Sequence, residues 1–141
     1  MSRDFDAVDD NISMGDAVSL RDLRTSSYAV WFFADGGGEN NLGYIYSKYI
    51  AGAECARVFL NENVGTAGRA NFGSDSSGVD SSPVRVTNNA FIGQGVWYGL
   101  AVTWDGSVTA ANIHIYKISG GAMVEASYAI TQDGSGPITS D

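Results

Sequence analysis

The sequence has 141 residues, of which 44% are hydrophobic and 17% are charged, and it carries a formal net charge of −8 from 8 Lys and Arg against 16 Asp and Glu. This composition excludes a disordered chain, and no apolar run approaches the ~20 residues that a membrane-spanning helix needs. Because nucleic-acid binding depends on clustered cations, no nucleic-acid partner is expected.

The N-terminal segment has neither the charged region nor the apolar region of a secretory signal. Either the protein is not exported by that route or the signal has been removed. The longest stretch with helical spacing is Gly15 to Leu23, and from about residue 27 onward a period of two dominates. Tyr28 to Phe33 is apolar on both faces, which predicts a central strand covered on each side, followed by a loop from Asp35 to Asn41.

Three further segments of the first half are predicted strands. Gly43 to Lys48 has strand composition, and Arg57 to Leu60 is a short apolar run before a turn. Gly65 to Ser82 is so rich in Gly and Ser that only weak or edge strands are expected there, and Arg69 to Phe72 is its best candidate.

The C-terminal half gives the clearest pattern. Trp97 to Trp104 predicts a strand closed by Asp105 and Gly106, and Asn112 to Ile118 is its hairpin partner across a loop of about seven residues. Ala122 to Ile130 is predicted to complete a meander as a single strand. Its alternate residues are expected to face the core: Ala122, Val124, Ala126, Tyr128 and Ile130.

Many short strands joined by Gly-rich turns, with no helix to cover a sheet, indicate two sheets packed on each other. The predicted fold is an all-β, two-layer antiparallel β-sandwich. We find no internal repeat and predict one domain over residues 1–141.

Several strings, in one order along the chain, resemble laminin-G-like, concanavalin-A-like lectin domains. Asp4 to Ile12 is similar to their "FDG-x-DD-x-I" start, and Trp31 lies where they have an "AW" strand. Tyr44 to Lys48 resembles "I-x-SK". Val96 to Ser107 resembles "W-Y-H-V-A-V-T-Y-D-G-S", and Asn112 to Tyr116 stands in place of "N-x-x-L-Y". The resemblance implies a jelly-roll sandwich and a lectin-like role.

The sequence also departs from that family. Gly99 replaces the usual His, Ala7 replaces the usual Gly, and the sequence ends at Asp141, before the "L-x-I-G" and "D-E-V-R-I-Y" closing strands. In the family the closing strand lies beside the opening one, so a strand near Phe5 is expected to have an open edge. Such an edge favours strand addition, and we expect a homo-oligomer or a subunit of a larger assembly. The alternative is that the tail after Gly134 pairs locally.

The sequence does not predict an enzyme. Concanavalin-A-like glycoside hydrolases carry their two carboxylates as "E-x-D-x-x-E", and this string is absent. Asp4 and Asp6 have the spacing to share a strand face, although a solvated face is the more frequent interpretation. Cys55 is the only cysteine and His114 the only histidine. Both are expected to have packing or surface roles rather than to form a nucleophilic pair.

Calcium is the cofactor that the sequence leaves open. It needs six to eight oxygen ligands in a flexible shell, and two loops are rich in side-chain oxygens. The candidate ligands are Asp9, Asp10, Asp35 and Asn40. No EF-hand spacing occurs, and ordinary turns explain the same residues.

Sugar binding in such folds uses an exposed aromatic platform with amide and carboxylate partners. The candidate ligand-binding residues are Trp97, Trp104, Tyr44, Tyr46 and Asn112. The alternative is that the aromatic side chains belong to the core.

The leading functional hypothesis is a non-enzymatic, lectin-like recognition or structural module in a larger assembly, such as a phage capsid decoration or fibre protein. Its target would be carbohydrate or a protein surface, and its location a virion or an extracellular surface. The alternative is an ancillary carbohydrate-binding domain of a secreted glycosidase.

Overall fold

The computed structural model describes residues 25–34, 42–50, 53–63, 66–73 and 83–135. These ranges contain nine β-strands and one short 3-10 helix, Ala110–Asn112. The strands are β1 (Ser26–Ala34), β2 (Leu42–Ile50), β3 (Ala53–Asn63), β4 (Thr66–Gly73), β5 (Val84–Thr87), β6 (Val96–Trp104), β7 (Ile113–Ser119), β8 (Ala122–Glu125) and β9 (Tyr128–Gln132).

The strands form two antiparallel sheets. One has four strands in the order β1-β6-β7-β8, and the other has five in the order β2-β3-β4-β5-β9. The predicted all-β class with two antiparallel layers is confirmed. In the described ranges, no helix is long and apolar enough to cross a membrane.

The core lies between the sheets and follows from side-chain alternation. In β6 the even-numbered residues from Tyr98 to Trp104 are all buried, and in β7 Ile113 and Ile115 are fully buried. They face Val58, Leu60, Ala70 and Phe72 of the five-stranded sheet. The Phe72 and Trp104 rings lie 5.5 Å apart. Each fully buried large apolar side chain contributes about 1.5–3 kcal/mol, so these residues carry much of the stability.

The prediction that Tyr28 to Phe33 is covered on both faces is wrong. Tyr28, Val30 and Phe32 pack against the core, whereas Trp31 is 62% exposed and Phe33 is 46% exposed. β1 lies at one end of the four-stranded sheet formed by the described strands. The apolar run therefore reflects one core face and one exposed aromatic face.

The strand predictions for the C-terminal half are confirmed in part. Asn112 to Ile118 does pair with Trp97 to Trp104, as β7 with β6. The single strand predicted for Ala122 to Ile130 is wrong, because the chain changes sheet in its middle. β8 pairs with β7, whereas β9 pairs with β5 in the other sheet.

The crossing point is the backbone between β8 and β9. The Ala126 N–H donates to the Ile115 carbonyl at 2.8 Å, and the Asn88 N–H donates to the Ser127 carbonyl at 2.9 Å. The short Ala126 side chain is buried at this point, whereas all four residues of β8 are exposed. The predicted core face of this segment is therefore limited to Ala126 and the half-buried Tyr128.

One strand was not predicted, and three predictions concern residues that the structure does not describe. β5 was not predicted, although it lies between β4 and β9. The predicted open edge near Phe5, the helical spacing of Gly15 to Leu23 and the loop from Asp35 to Asn41 lie outside the described residues.

Candidate functional site

The face of the four-stranded sheet that points away from the core is the candidate site, and we call it the outer face. Antiparallel register places its side chains in rows that cross the strands, because alternate residues of each strand point to opposite faces. The outer face consists of Ser27, Ala29, Trp31 and Phe33 of β1, Trp97, Gly99, Ala101 and Thr103 of β6, His114, Tyr116 and Ile118 of β7, and Met123 and Glu125 of β8.

One end of the outer face is aromatic. Phe33 pairs directly with Trp97, and the two ring centroids are 5.7 Å apart at an interplanar angle of 55°. Trp97 is 61% exposed, nearly as much as the neighbouring Trp31. Exposed aromatic side chains that cluster on one surface are typical of a binding site rather than of a surface that faces only water.

Gly99 supports the ring of Trp31. A Cβ atom built on Gly99 would lie 3.2 Å from two atoms of the Trp31 six-membered ring and 3.0 Å from the Ile118 Cβ. The indole therefore passes directly over the Gly99 backbone, a position that any larger residue would obstruct. One side of the ring rests on the sheet and the ring remains largely open to solvent.

The middle of the outer face carries small side chains, Ala29 and Ala101, which we call the Ala29–Ala101 floor. Ala29 and Ala101 pair across β1 and β6, and Tyr116 pairs with Ala101 on the other side. The Tyr116 ring stacks with His114 at a centroid distance of 6.2 Å and an angle of 24°. Two small side chains thus lie side by side next to the stacked Tyr116 and His114 rings.

The other end of the outer face is polar. His114 Nδ1 lies 2.7 Å from the Glu125 Oε1, and the Tyr128 hydroxyl lies 3.1 Å from the same oxygen. Hydrogen bonding to His114 lowers the pKa of Glu125. Burial raises the pKa of Tyr128 to about 12, so its hydroxyl stays protonated at neutral pH.

An open cleft of about 380 Å³ lies at this polar end. It is lined by Thr25, Ser26, Ser27, Thr103, Trp104, Asp105, Asn112 and His114. The lining is rich in hydroxyl, amide and carboxylate groups. Such groups exchange hydrogen bonds with a polar ligand.

The turn after β6 fixes the position of the polar groups. The Ser107 N–H donates to Asp105 Oδ1 at 2.9 Å, and Asn112 Nδ2 donates to Asp105 Oδ2 at 2.7 Å. These bonds lower the pKa of Asp105, Ser107 having the largest effect. The Trp104 indole N–H donates to the Ser107 carbonyl at 3.0 Å. A rigid turn thus presents one ionised carboxylate and one oriented amide.

The five predicted ligand-binding residues lie in different places. Trp97 lies at the aromatic end of the outer face, and Asn112 lies beside the cleft at the polar end. Trp104 is only 5% exposed, and Tyr46 packs against Tyr28 with ring centroids 4.1 Å apart. Neither of these two rings offers an exposed platform. Tyr44 lies on the other sheet, where its ring is 5.8 Å from that of Phe59.

The predicted metal ligands Asp9, Asp10, Asp35 and Asn40 lie outside the described residues. Within the part of the chain that the structure describes, no group of three or more His, Cys, Asp or Glu side chains is placed to hold a metal ion. The calcium hypothesis therefore stays a prediction.

Sequence reasoning missed Trp31 and Phe33 as candidate ligand-binding residues. Alternation along β1 could have identified them. Both residues occupy odd-numbered positions, so their side chains point away from Tyr28 and Phe32, which pack against the core. The odd positions in Trp97 to Thr103 have the same orientation. Only the pairing of β1 with β6 brings the two sets together.

The chain matches no family model, and no curated protein or solved structure shows significant similarity to it. The resemblance to laminin-G-like domains therefore remains a prediction from the motifs.

Proposed function

We propose that this protein is a non-enzymatic recognition module that binds carbohydrate on the outer face of its four-stranded sheet. The observation that carries the proposal is the Trp31 ring, which lies over Gly99 and remains 62% exposed beside Trp97. A supported, exposed indole offers a sugar ring an apolar surface together with a π-face. Polar side chains at the other end of the same face supply hydrogen-bond partners.

Carbohydrate suits this surface better than a purely apolar ligand. The aromatic end buries the C–H face of a sugar, and the Asp105 carboxylate and Asn112 amide are held where they meet hydroxyl groups. Small-molecule sites usually combine apolar contact area with a few fixed polar groups of this kind. A virion or other extracellular assembly, or a secreted glycosidase, is the setting that we propose for such a module.

The test is a binding measurement with matched variants. We expect the native chain to bind at least one polysaccharide in affinity electrophoresis against soluble β-glucans, α-glucans, xylans and mannans. Because truncation of a central aromatic side chain in a binding site typically removes about 2 kcal/mol or more, Trp97→Ala is expected to weaken that binding at least about tenfold.

Tyr44→Ala is the matched control, since Tyr44 is 49% exposed but lies on the other sheet. It should bind like the native chain. If the native chain binds none of these glycans, or if Trp97→Ala and Tyr44→Ala bind equally well, the proposal is wrong. Thermal melts of both variants separate a binding defect from unfolding.

A further inference from the structure

We infer that the ligand is an uncharged, extended oligosaccharide that lies along β6, rather than a single sugar or an anionic glycan. This inference rests on the proposed function. The inference depends on the length of the outer face, on its division into three zones and on its charge.

The length of the face exceeds what one sugar ring covers. Trp97 and Thr103 are six residues apart on β6, so the outer face extends for about 20 Å along the strand at the usual rise per residue. Groups suited to sugars lie at both ends of this distance. A monosaccharide on the Trp31 ring would leave the polar end unused.

The three zones follow one another along the strand direction. The aromatic zone around Trp31 provides stacking, and the Ala29–Ala101 floor beside Tyr116 leaves room for a ring to lie against the sheet. The polar cleft then provides Thr103 and Asn112. A chain of linked rings meets all three zones in turn, whereas a branched or compact ligand does not.

The charge of the outer face and of the whole chain disfavours an anionic ligand. Glu125 and Asp105 have lowered pKa values, so both carboxylates are ionised at neutral pH. Apart from His114, the only basic residue in the four strands of this sheet is Lys117. Its Nζ donates to the Phe91 carbonyl and lies 5.5 Å from the ring centroid of the core residue Tyr98. Arg85 of β5 also acts on Glu125, but its guanidinium donates to the carbonyls of Ala111 and Ile113. The net charge of −8 acts in the same direction. Carboxylated or sulfated glycans are therefore repelled.

The test uses isothermal titration calorimetry with neutral oligosaccharides of one to six units from the β-glucan, α-glucan, xylan and mannan series, and with oligogalacturonides as the anionic comparison. We expect the affinity for one neutral series to rise at least tenfold between one and four units and then to level off. Oligogalacturonides of equal length should bind at least tenfold more weakly.

Two variants at the polar end locate the second contact. Asn112→Ala and Ser27→Ala should each weaken binding of the four-unit ligand severalfold, with little effect on the two-unit ligand. Ser27→Ala is included because Asn112 also holds the turn at Asp105, whereas Ser27 lies on β1 beside Thr103. Trp97→Ala should weaken both lengths.

The outcomes distinguish the inference from the proposed function. Equal affinity for one and four units, unchanged binding by both polar-end variants, or tight binding of oligogalacturonides would overturn the inference and leave sugar binding at Trp97 intact. No binding by any of the neutral series, or no effect of Trp97→Ala, would overturn both. Light scattering that shows a self-associated native chain and a monomeric Trp97→Ala would assign the outer face to contacts between copies, and would also overturn both.

Discussion

Replacing Gly99 by Ala tests whether the Trp31 platform depends on the absence of a side chain beneath it. The added Cβ would lie 3.0 Å from the Ile118 Cβ, an atom fixed to the backbone of β7, and 3.2 Å from the Trp31 ring. Overpacking of this kind costs about 1–3 kcal/mol. Replacing a strand glycine by alanine stabilises the strand by about 0.5–1 kcal/mol. We therefore expect a net loss of about 1 kcal/mol in the free energy of unfolding, and at most about 2.5 kcal/mol.

Gly73→Ala is the matched control. Gly73 also lies in a strand, but its added Cβ would meet the Val84 Cγ2 at 3.3 Å, and this side-chain terminus can move. We expect its stability to stay within about 0.5 kcal/mol of the native chain, because the gain from removing the glycine offsets the contact.

Urea unfolding followed by far-ultraviolet circular dichroism measures both effects, and tryptophan fluorescence of the folded state reports on the Trp31 environment. The Gly99→Ala loss corresponds to a melting temperature lower by several degrees, at about 2–8 °C per kcal/mol. Equal stability of the two variants, with unchanged emission, would refute the close packing of Trp31 on Gly99.

Two further predictions concern the polar end. Tyr128→Phe removes the hydroxyl that accepts a hydrogen bond from the buried Ile115 N–H at 2.8 Å. We expect the free energy of unfolding, measured in urea, to fall by about 1–3 kcal/mol. A fall below about 0.5 kcal/mol would show that the fold does not need this hydrogen bond. Acid should destabilise the fold, because hydrogen bonds lower the pKa values of Glu125 and Asp105 relative to the unfolded chain. The stability that they contribute is complete above the unfolded pKa values of about 4 and is lost as the pH falls through the folded values. Unfolding midpoints at pH 7 and pH 3 should differ less in Glu125→Gln than in the native chain, and an equal difference would contradict this assignment.

The strands around β6 could be predicted from sequence because local pattern and packing agree there. From Trp97 to Trp104, residues that point into the core alternate with residues that point to the outer face. Asp105 and Gly106 then form the turn that ends the strand. β7 follows from the same alternation. Their pairing needs only a short connection, which makes the hairpin the most local solution.

The split of Ala122 to Ile130 could not be predicted, because the alternation of residue types continues through the point where the chain changes sheet. Which sheet each half joins is decided by contacts distant in sequence. Ala126 bonds to Ile115, and Val84 to Thr87 pairs with β9. A period of two describes a strand but does not identify its partner.

The candidate site was predicted only in part for a related reason. Trp97 and Asn112 were identified by residue type, but the sequence does not show that Trp97 lies on the outer face and that Asn112 lies beside the cleft at its polar end. Both positions depend on how β6 pairs with β1 and β7. Trp104 has the same residue type as Trp97 and the opposite exposure, because seven positions along an alternating strand reverse the direction of the side chain.

Gly99 connects the sequence resemblance with the candidate site. The laminin-G-like pattern has a histidine where this chain has Gly99, and any side chain at this position would begin where the Trp31 ring lies. Glycine within a strand is unfavourable by about 0.5–1 kcal/mol, and the ring that it admits remains mostly exposed, so burial offsets little of that cost. With the Trp31 ring in place, however, a larger residue would be overpacked, because its Cβ would meet the Trp31 ring and the Ile118 Cβ. We therefore propose that Gly99 seats the Trp31 indole as an exposed contact for a ligand, and glycan binding by Trp97→Ala tests this proposal.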